Sequence, residues 1–299
     1  LICCVDASNI FFITFSVFVK EQKMKNGEDY VIKEEDLGLF FHMVVRKFMD
    51  YIVSYKDCIF CFEGQSSCAW RKSIWPPYKS NRNHDDPNYK WVGPLMEQVY
   101  DFLSLFHTKC LKVPYCEGDD CIYQVCKYYS EKGEEVKIIS SDKDLSQMMN
   151  FFDTVSQYNP IKRANVEKNE NILLEKALIG DSSDNIKAFK GIGPKTFEKM
   201  LEDKQLWNKK MTPENQEVYD TVMQIIDLRK FPQKYQDEIV KEIEKPWNEF
   251  DTDSIEKFLL DNGLRSCYNE WTNKWYADIQ AQNFEQEDSI EEIMSMING

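Results

Sequence analysis

Two short apolar runs, residues 1–5 and 58–62, constrain this chain most: each is too short for a helix, fits a buried strand, and ends on a carboxylate, Asp6 and Glu63. Between them Phe40, Phe41, Val44, Val45, Phe48 and Ile52 follow helical spacing. Strand, helix, strand is a βαβ unit, which predicts a parallel sheet in an α/β fold. Residues 64–93 break the pattern with Pro76, Pro77 and Pro87, three tryptophans and little periodicity, and so read as an excursion outside the sheet. There follow a helix over about 94–106, a strand over 111–116, a helix with the stripe Ile122, Val125, Cys126 and Tyr129, and a strand over 136–139. From residue 172 onward the patterns are helical, and the polar stretch 160–171 reads as a loop or linker.

With 299 residues and 42% hydrophobic content the chain can bury one large or two ordinary cores. It contains no run of about 18 consecutive apolar residues, and no membrane span is predicted. The start carries no basic leader or cleavage-site pattern, so an intracellular, cytoplasmic protein is expected. The ten cysteines are scattered over a chain too large to need disulfide staples and read as buried thiols. Cys58 and Cys61 lie three apart on an expected strand, point to opposite faces, and make a poor zinc pair.

The formal charge of −14 argues at first against a nucleic-acid partner. The distribution qualifies that reading. Residues 201–299 hold 11 basic and 22 acidic side chains, which leaves the first 200 residues near neutrality. Residues 64–84 carry Arg71, Lys72, Lys79 and Arg82 with no acid, and residues 186–199 carry four lysines against Glu198.

In a doubly wound sheet, function collects where strands end at their carboxyl side. The acids follow that rule. Asp6 and Glu63 leave the first two strands; Glu117, Asp119 and Asp120 leave the third in Glu117-Gly118-Asp119-Asp120; Asp142 and Asp144 leave the fourth in Ser141-Asp142-Lys143-Asp144. A further pair, Asp181 and Asp184, lies in Gly180-Asp181-Ser182-Ser183-Asp184-Asn185. Single acids after strands often cap helices, but nine converging carboxylates repel one another unless protonated or bridged by cations. Hard divalent cations, Mg2+ first among them, suit oxygen ligands near a phosphate. Two such ions about 4 Å apart can activate water and stabilise a leaving oxygen, which is nuclease chemistry. The chain has neither a Gly-rich P-loop nor a Ser/His/Asp set. His42, His84 and His107 lie far from the acids, and His42, within a helical pattern, reads as structural.

After Asp184 comes Lys190-Gly191-Ile192-Gly193-Pro194-Lys195-Thr196 between helical segments. A Gly-Ile-Gly turn lets helices meet tightly and aims backbone N–H groups at a phosphate, the device of a helix-hairpin-helix. Lys195 would add a point charge on the DNA backbone.

Taken in order, Val5-Asp6, Phe62-Glu63-Gly64, Tyr78-Lys79-Ser80-Asn81-Arg82, the three acidic motifs above and Gly191-Ile192-Gly193-Pro194-Lys195 resemble the 5′ nuclease superfamily. That group contains flap endonucleases, the 5′ nuclease domains of bacterial DNA polymerases, and phage 5′ nucleases including the ribonuclease H of T-even phages. The resemblance covers about residues 1–200 and is nearest to the phage members.

The resemblance implies a PIN-like parallel-sheet core over 1–160 with a helical arch or bridge at about 64–93, and a helical DNA-binding region over 171–299 with the helix-hairpin-helix at about 177–205. It gathers Asp6, Glu63, Glu117 and Asp119 around a first metal, with Asp120 close by, and assigns Asp142, Asp144, Asp181 and Asp184 to a second. Lys79 would approach the scissile phosphate, with Arg71 and Arg82 assisting. Gly191, Ile192, Gly193, Lys195, Thr196 and Lys190 would hold the duplex, with K+ at the hairpin, and Mn2+ would substitute for Mg2+.

The expected substrates are DNA with a 5′ flap or 5′ end and RNA annealed to DNA, as in primer removal or repair, by a monomer. Two departures stand out: Glu63 where the family usually has Asp, and no early arginine in Ala7-Ser8-Asn9-Ile10-Phe11-Phe12. A non-catalytic DNA-binding protein of the same fold is the alternative reading, and an RNA-cutting PIN-type nuclease a third. Residues 284–297 place Ile290, Ile293, Met294 and Ile297 on one helical face among acids, which suits either packing on the domain or docking to a sliding clamp or single-strand-binding protein.

Overall fold

The computed structural model describes residues 1–82 and 85–281; the expected amphipathic terminus at 284–297 lies outside them. In chain order the elements are β1 (Ile2–Asp6), α1 (Ala7–Asn26), α2 (Leu37–Ile52), β2 (Asp57–Cys61), α3 (Ala69–Ile74), α4 (Val92–Leu103), β3 (Thr108–Leu111), α5 (Gly118–Ser130), β4 (Val136–Ile139), α6 (Met148–Phe151), β5 (Val155–Asn159) and β6 (Ala164–Asn165). Seven helices follow: α7 (Ile172–Ile179), α8 (Pro194–Glu202), α9 (Lys204–Lys210), α10 (Pro213–Ile226), α11 (Gln233–Glu244), α12 (Thr252–Asp261) and α13 (Arg265–Glu270).

Two compact units interleave along the chain. The described residues of Leu1–Phe60, Asp85–Cys110 and Pro246–Gly299 form one, and those of Cys61–His84 and Leu111–Lys245 the other.

In the first unit the strands lie in the order β3-β2-β1. Every residue of β1 is buried, and the chain passes directly into α1, a helix the sequence reading did not anticipate. Asp6 makes that junction, its carboxylate accepting the Asn9 N–H at 3.0 Å as a helix cap. The predicted stripe of α2 is buried throughout, and Phe40 packs edge-on against Phe11 and Phe15. Each such ring contributes roughly 1.5–3 kcal/mol by leaving water. Cys58 and Cys61 are buried free thiols on β2. His42 is structural, its Nε2 lying 3.1 Å from Glu270 Oε1.

In the second unit β4 and β5 run parallel, with Val136 opposite Val155 and Ile139 opposite Tyr158, and β6 returns antiparallel to β5. The polar stretch read as a loop therefore contains a short strand, because Asn159 and Tyr158 offer it a ladder.

The third strand begins and ends earlier than its hydrophobic run. Pro114 lacks a donor and Tyr115 adopts φ 65°, so residues 112–116 leave the regular ladder. They still pair with the chain beyond β2: Phe62 N–H donates to Leu111 O (2.8 Å), Gly64 N–H to Cys116 O (2.9 Å) and Tyr115 N–H to Gln65 O (2.8 Å). A Cβ on Gly64 would stand 1.8 Å from Val113 O, so only glycine permits this approach. The pairing brings Glu63 and Glu117 to the same end of the fold.

The proline-rich excursion is packed down over much of its length. Tyr78, with Ile74 and Trp75, joins a cluster with Ala177, Ile186, Val222, Ile225 and Ile226 on α7, α10 and the loop after α7. Among the described residues no helix is long and apolar enough to cross a membrane.

Candidate functional site

Two motif-bearing loops hold each other. Lys79 N–H donates to Asp184 O at 3.0 Å, Asn81 Nδ2 to Ser182 O at 2.6 Å, and Asn185 Nδ2 to Pro77 O and Ser80 Oγ, each at 2.9 Å. Lys79 (φ 51°) and Asn185 (φ 56°) are both left-handed, a conformation asparagine tolerates and lysine rarely adopts. The interlocking bonds hold that strain where a charged side chain must be aimed.

Lys79 is aimed at Glu117. Its ammonium donates to Glu117 Oε1, Cys68 Sγ donates to the same oxygen at 3.2 Å, and Tyr78 OH donates to Oε2 at 2.9 Å. Arg71 Nη1 completes the set at 2.6 Å from Oε2. Burial alone would raise the Glu117 pKa, but Arg71 and Lys79 overcome it and hold the carboxyl well below its usual range. Burial likewise opposes the Lys79 charge, while Glu117, Asp184 and Glu63 outweigh it and keep the ammonium protonated. The Cys68 thiol is pushed up to about 11 by burial and by Glu117.

Arg71 is 2% exposed, and its donors are engaged elsewhere than at the phosphate surface expected from sequence. Nη1 and Nη2 grip Asp120 at 2.9 and 2.5 Å, Nε donates to Ile225 O at 3.0 Å, and the guanidinium lies 4.3 Å over the Trp70 ring. Asp120 is fully buried and also accepts the Glu117 N–H at 2.9 Å. Both residues hold Glu117 in place from behind, which leaves Asp120 little capacity for an ion.

A second cluster forms where the loop after β4 meets the loop after α7. Asp142 caps the turn by accepting Asp144 N–H at 2.8 Å. Asp144, Asp181 and Asp184 each offer a carboxylate oxygen within 4.8 Å of the others. Lys176, five residues before Asp181, puts its ammonium among them: it donates to Asp144 Oδ2, to Asp184 Oδ2 at 2.6 Å, and lies 3.2 Å from Asp181 Oδ2.

Burial would discharge Lys176, but the three aspartates keep it charged. Burial tends to raise Asp181 too, yet Lys176 and the Ser183 hydroxyl and N–H bring it down to about 2. Asp144 is raised by burial and by Asp142 against the pull of Lys176. Its Oδ1 is buried with no hydrogen-bond partner among the described residues. An orphaned carboxylate oxygen in a three-carboxylate pocket fits a hard divalent cation.

Eight other expected residues are placed as follows. Asp6 caps α1 in the first unit, whereas the remaining eight carboxylates belong to the second. Glu63 and Asp119 are half-buried, and Arg82, exposed at the rim, reaches Asp184 Oδ1 at 3.5 Å. Lys190, Gly191 and Lys195 are exposed, while Thr196 N–H closes the first turn of α8 on Gly193 O at 2.9 Å.

Ile192 is buried with Leu178, Phe189, Phe197 and Met200, so α7 and α8 pack around it. They are joined by residues 180–193 rather than by a turn of a few residues, because the Asp181–Ile186 bridge extends the connection. Lys176 was missed from sequence. Its spacing before Gly180-Asp181 was the available signal, hidden inside an apolar helix.

The first 177 residues match the family described as 5′-3′ exonuclease, N-terminal resolvase-like domain. A 5′-3′ exonuclease of Aquifex aeolicus is 30% identical over 171 residues, 54% of this chain and 55% of that protein. DNA polymerase I of Deinococcus radiodurans is 37% identical over 143 residues, 43% of this chain and 15% of the polymerase. The chain thus spans about half of the first relative and a small part of the second. Among solved structures, the T5 5′-exonuclease with bound zinc shares the fold, with a TM-score of 0.55 and 17% identity over 87% of this chain and 97% of that one.

Proposed function

The chain belongs to the 5′-3′ exonuclease family, and on that premise we propose that it is a structure-specific 5′ nuclease that hydrolyses phosphodiesters with divalent metal, Mg2+ in preference and Mn2+ in substitution. The observation that carries the reading is the convergence of Asp144, Asp181 and Asp184, with an orphaned Asp144 oxygen, beside the loop that aims Lys79. Divalent ions at such a cluster supply Lewis-acid activation of water and of the scissile phosphate. Asp142, Asp144, Asp181 and Asp184 would hold one ion, and Glu63, Glu117 and Asp119 the other.

The protein's own contributions follow from its geometry. Lys79, held protonated by its acidic neighbours, meets a non-bridging phosphate oxygen when a substrate competes with Glu117 for it. Arg82 turns from Asp184 toward the same anion. Arg71 and Asp120 fix Glu117 and stay out of contact with substrate. Exposed Lys190 and Lys195, with the N-terminus of α8 and K+ at the glycine turn, bind the duplex backbone without reading bases.

The proposed substrates are 5′ flaps, 5′ ends and RNA annealed to DNA, with the strand passing over residues 64–93. One observation favours the second reading, a binding protein without turnover: Arg71, Lys79 and Lys176 already neutralise part of the acidic cluster.

Cleavage of a 5′-labelled flap in Mg2+, with EDTA and Asp142→Asn as controls, tests the proposal. Metal-dependent product at the junction or 5′ end, lost in the variant, supports the nuclease. Tight binding without cleavage in Mg2+ or Mn2+ supports the binding protein.

A further inference from the structure

Lys176 occupies the same oxygens a second ion needs. Its ammonium has three protons and faces three Oδ2 atoms, those of Asp144, Asp181 and Asp184. The partner oxygens are mostly taken: Asp181 Oδ1 accepts the Ser183 N–H (2.7 Å) and hydroxyl (2.6 Å), and Asp184 Oδ1 faces Arg82 at 3.5 Å and Lys79 at 3.9 Å. Of the six oxygens only Asp144 Oδ1 is buried and without a partner. A divalent cation that entered with the ammonium in place would find one free ligand from the three aspartates and a positive charge a few ångströms away.

We infer that Lys176 is a built-in counterion that competes with the second metal: the ammonium balances the Asp144, Asp181 and Asp184 cluster in the metal-free protein and must leave before an ion is bound there. This rests on the metal-dependent reading above. The arrangement has two consequences. The metal-free fold is spared the repulsion of three carboxylates gathered in a small, poorly hydrated space. The second ion binds more weakly than its ligand set alone would dictate, because displacing an ammonium paired with three carboxylates opposes its entry. The four-carbon stem of Lys176 rises from α7 and can swing the charge out without moving the helix.

The test is Mn2+ binding, measured by calorimetry and by the electron paramagnetic resonance signal of free Mn2+, on the full chain and on Lys176→Met and Lys176→Gln. Thermal melts in EDTA and in Mn2+ accompany it. The wild type is expected to bind one ion tightly and another weakly. In both variants the weaker ion tightens about tenfold or more while the tighter one is unchanged, as removal of a competing charge requires.

The variants also melt below the wild type in EDTA, and Mn2+ closes that gap. If Lys176→Met does not fold without metal, Lys176→Gln carries the comparison. Wild-type affinity at both sites in the variants overturns the inference and leaves the metal-dependent nuclease standing. Absence of Mn2+ binding in wild type and variants alike removes both.

Discussion

Arg71 and Asp120 form a two-pronged ion pair in the interior, Nη1 to Oδ2 at 2.9 Å and Nη2 to Oδ1 at 2.5 Å, with both side chains closed to solvent. The pair joins α3 to the first turn of α5, and through Arg71 Nε to the end of α10. Glu117, the acid that Lys79 contacts, is held by the same guanidinium. The geometry of the candidate site thus depends on a charge that is closed to solvent.

Replacing Arg71 by Met should therefore act on stability first. It strands two buried carboxylates, a loss of about 3–5 kcal/mol for breaking a buried pair from one side. Arg71→Lys should rescue little, since an ammonium cannot span Asp120, Glu117 and Ile225 O together. Urea unfolding of the two variants measures this, and wild-type midpoints would remove Arg71 from its supporting role.

Lys79→Ala should separate chemistry from binding. The expected loss is about 100- to 1,000-fold in single-turnover flap cleavage, the usual consequence of removing a charge aimed at the reacting group. Flap affinity by fluorescence anisotropy should change by less than about threefold, because most phosphate contacts lie elsewhere on the duplex. An equal fall in affinity would make Lys79 a binding residue.

Acid should weaken the metal-free protein. Glu117 and Asp181 have depressed pKa values in the folded state, so their contribution is complete above the ordinary carboxylate range and is lost as pH falls through the folded values, about 2 for Asp181. Asp144, raised by burial, works in the opposite direction and shallows the slope. The urea midpoint in EDTA should drop between about pH 5 and about pH 2, and a flat profile would contradict these assignments.

Lys195→Ala should weaken duplex binding evenly across sequences. It should also reduce the slope of log affinity against log salt by about 1, the mark of one lost phosphate contact. An unchanged slope would take the start of α8 out of the interface.

Much of the frame was legible in the residues. β4 lies where its apolar run predicts, the α2 stripe is buried as its spacing requires, and Asp142 and Asp144 follow β4 on one short turn. The family resemblance is supported by the match over the first 177 residues. Where expectation and structure part, backbone chemistry explains it. The third strand stops short because Pro114 and Tyr115 leave the ladder, and the expected hairpin between α7 and α8 is opened by the Asp181–Ile186 bridge. α1 was hidden because its aromatic residues, Phe11, Phe12, Phe15 and Phe18, suggest helix only weakly by propensity.

The amino-acid sequence by itself determined which acids sit at the exits of strands and turns, since burial of short apolar runs dictates where the chain emerges. It could not say how those acids are balanced. Counting nine carboxylates and inferring repulsion leaves out Arg71, 49 residues from Asp120, and Lys176, 32 residues from Asp144. Only the tertiary structure brings those charges within hydrogen-bonding distance in an environment poor in water. An ion pair depends on separation and burial, and neither is a function of distance along the chain.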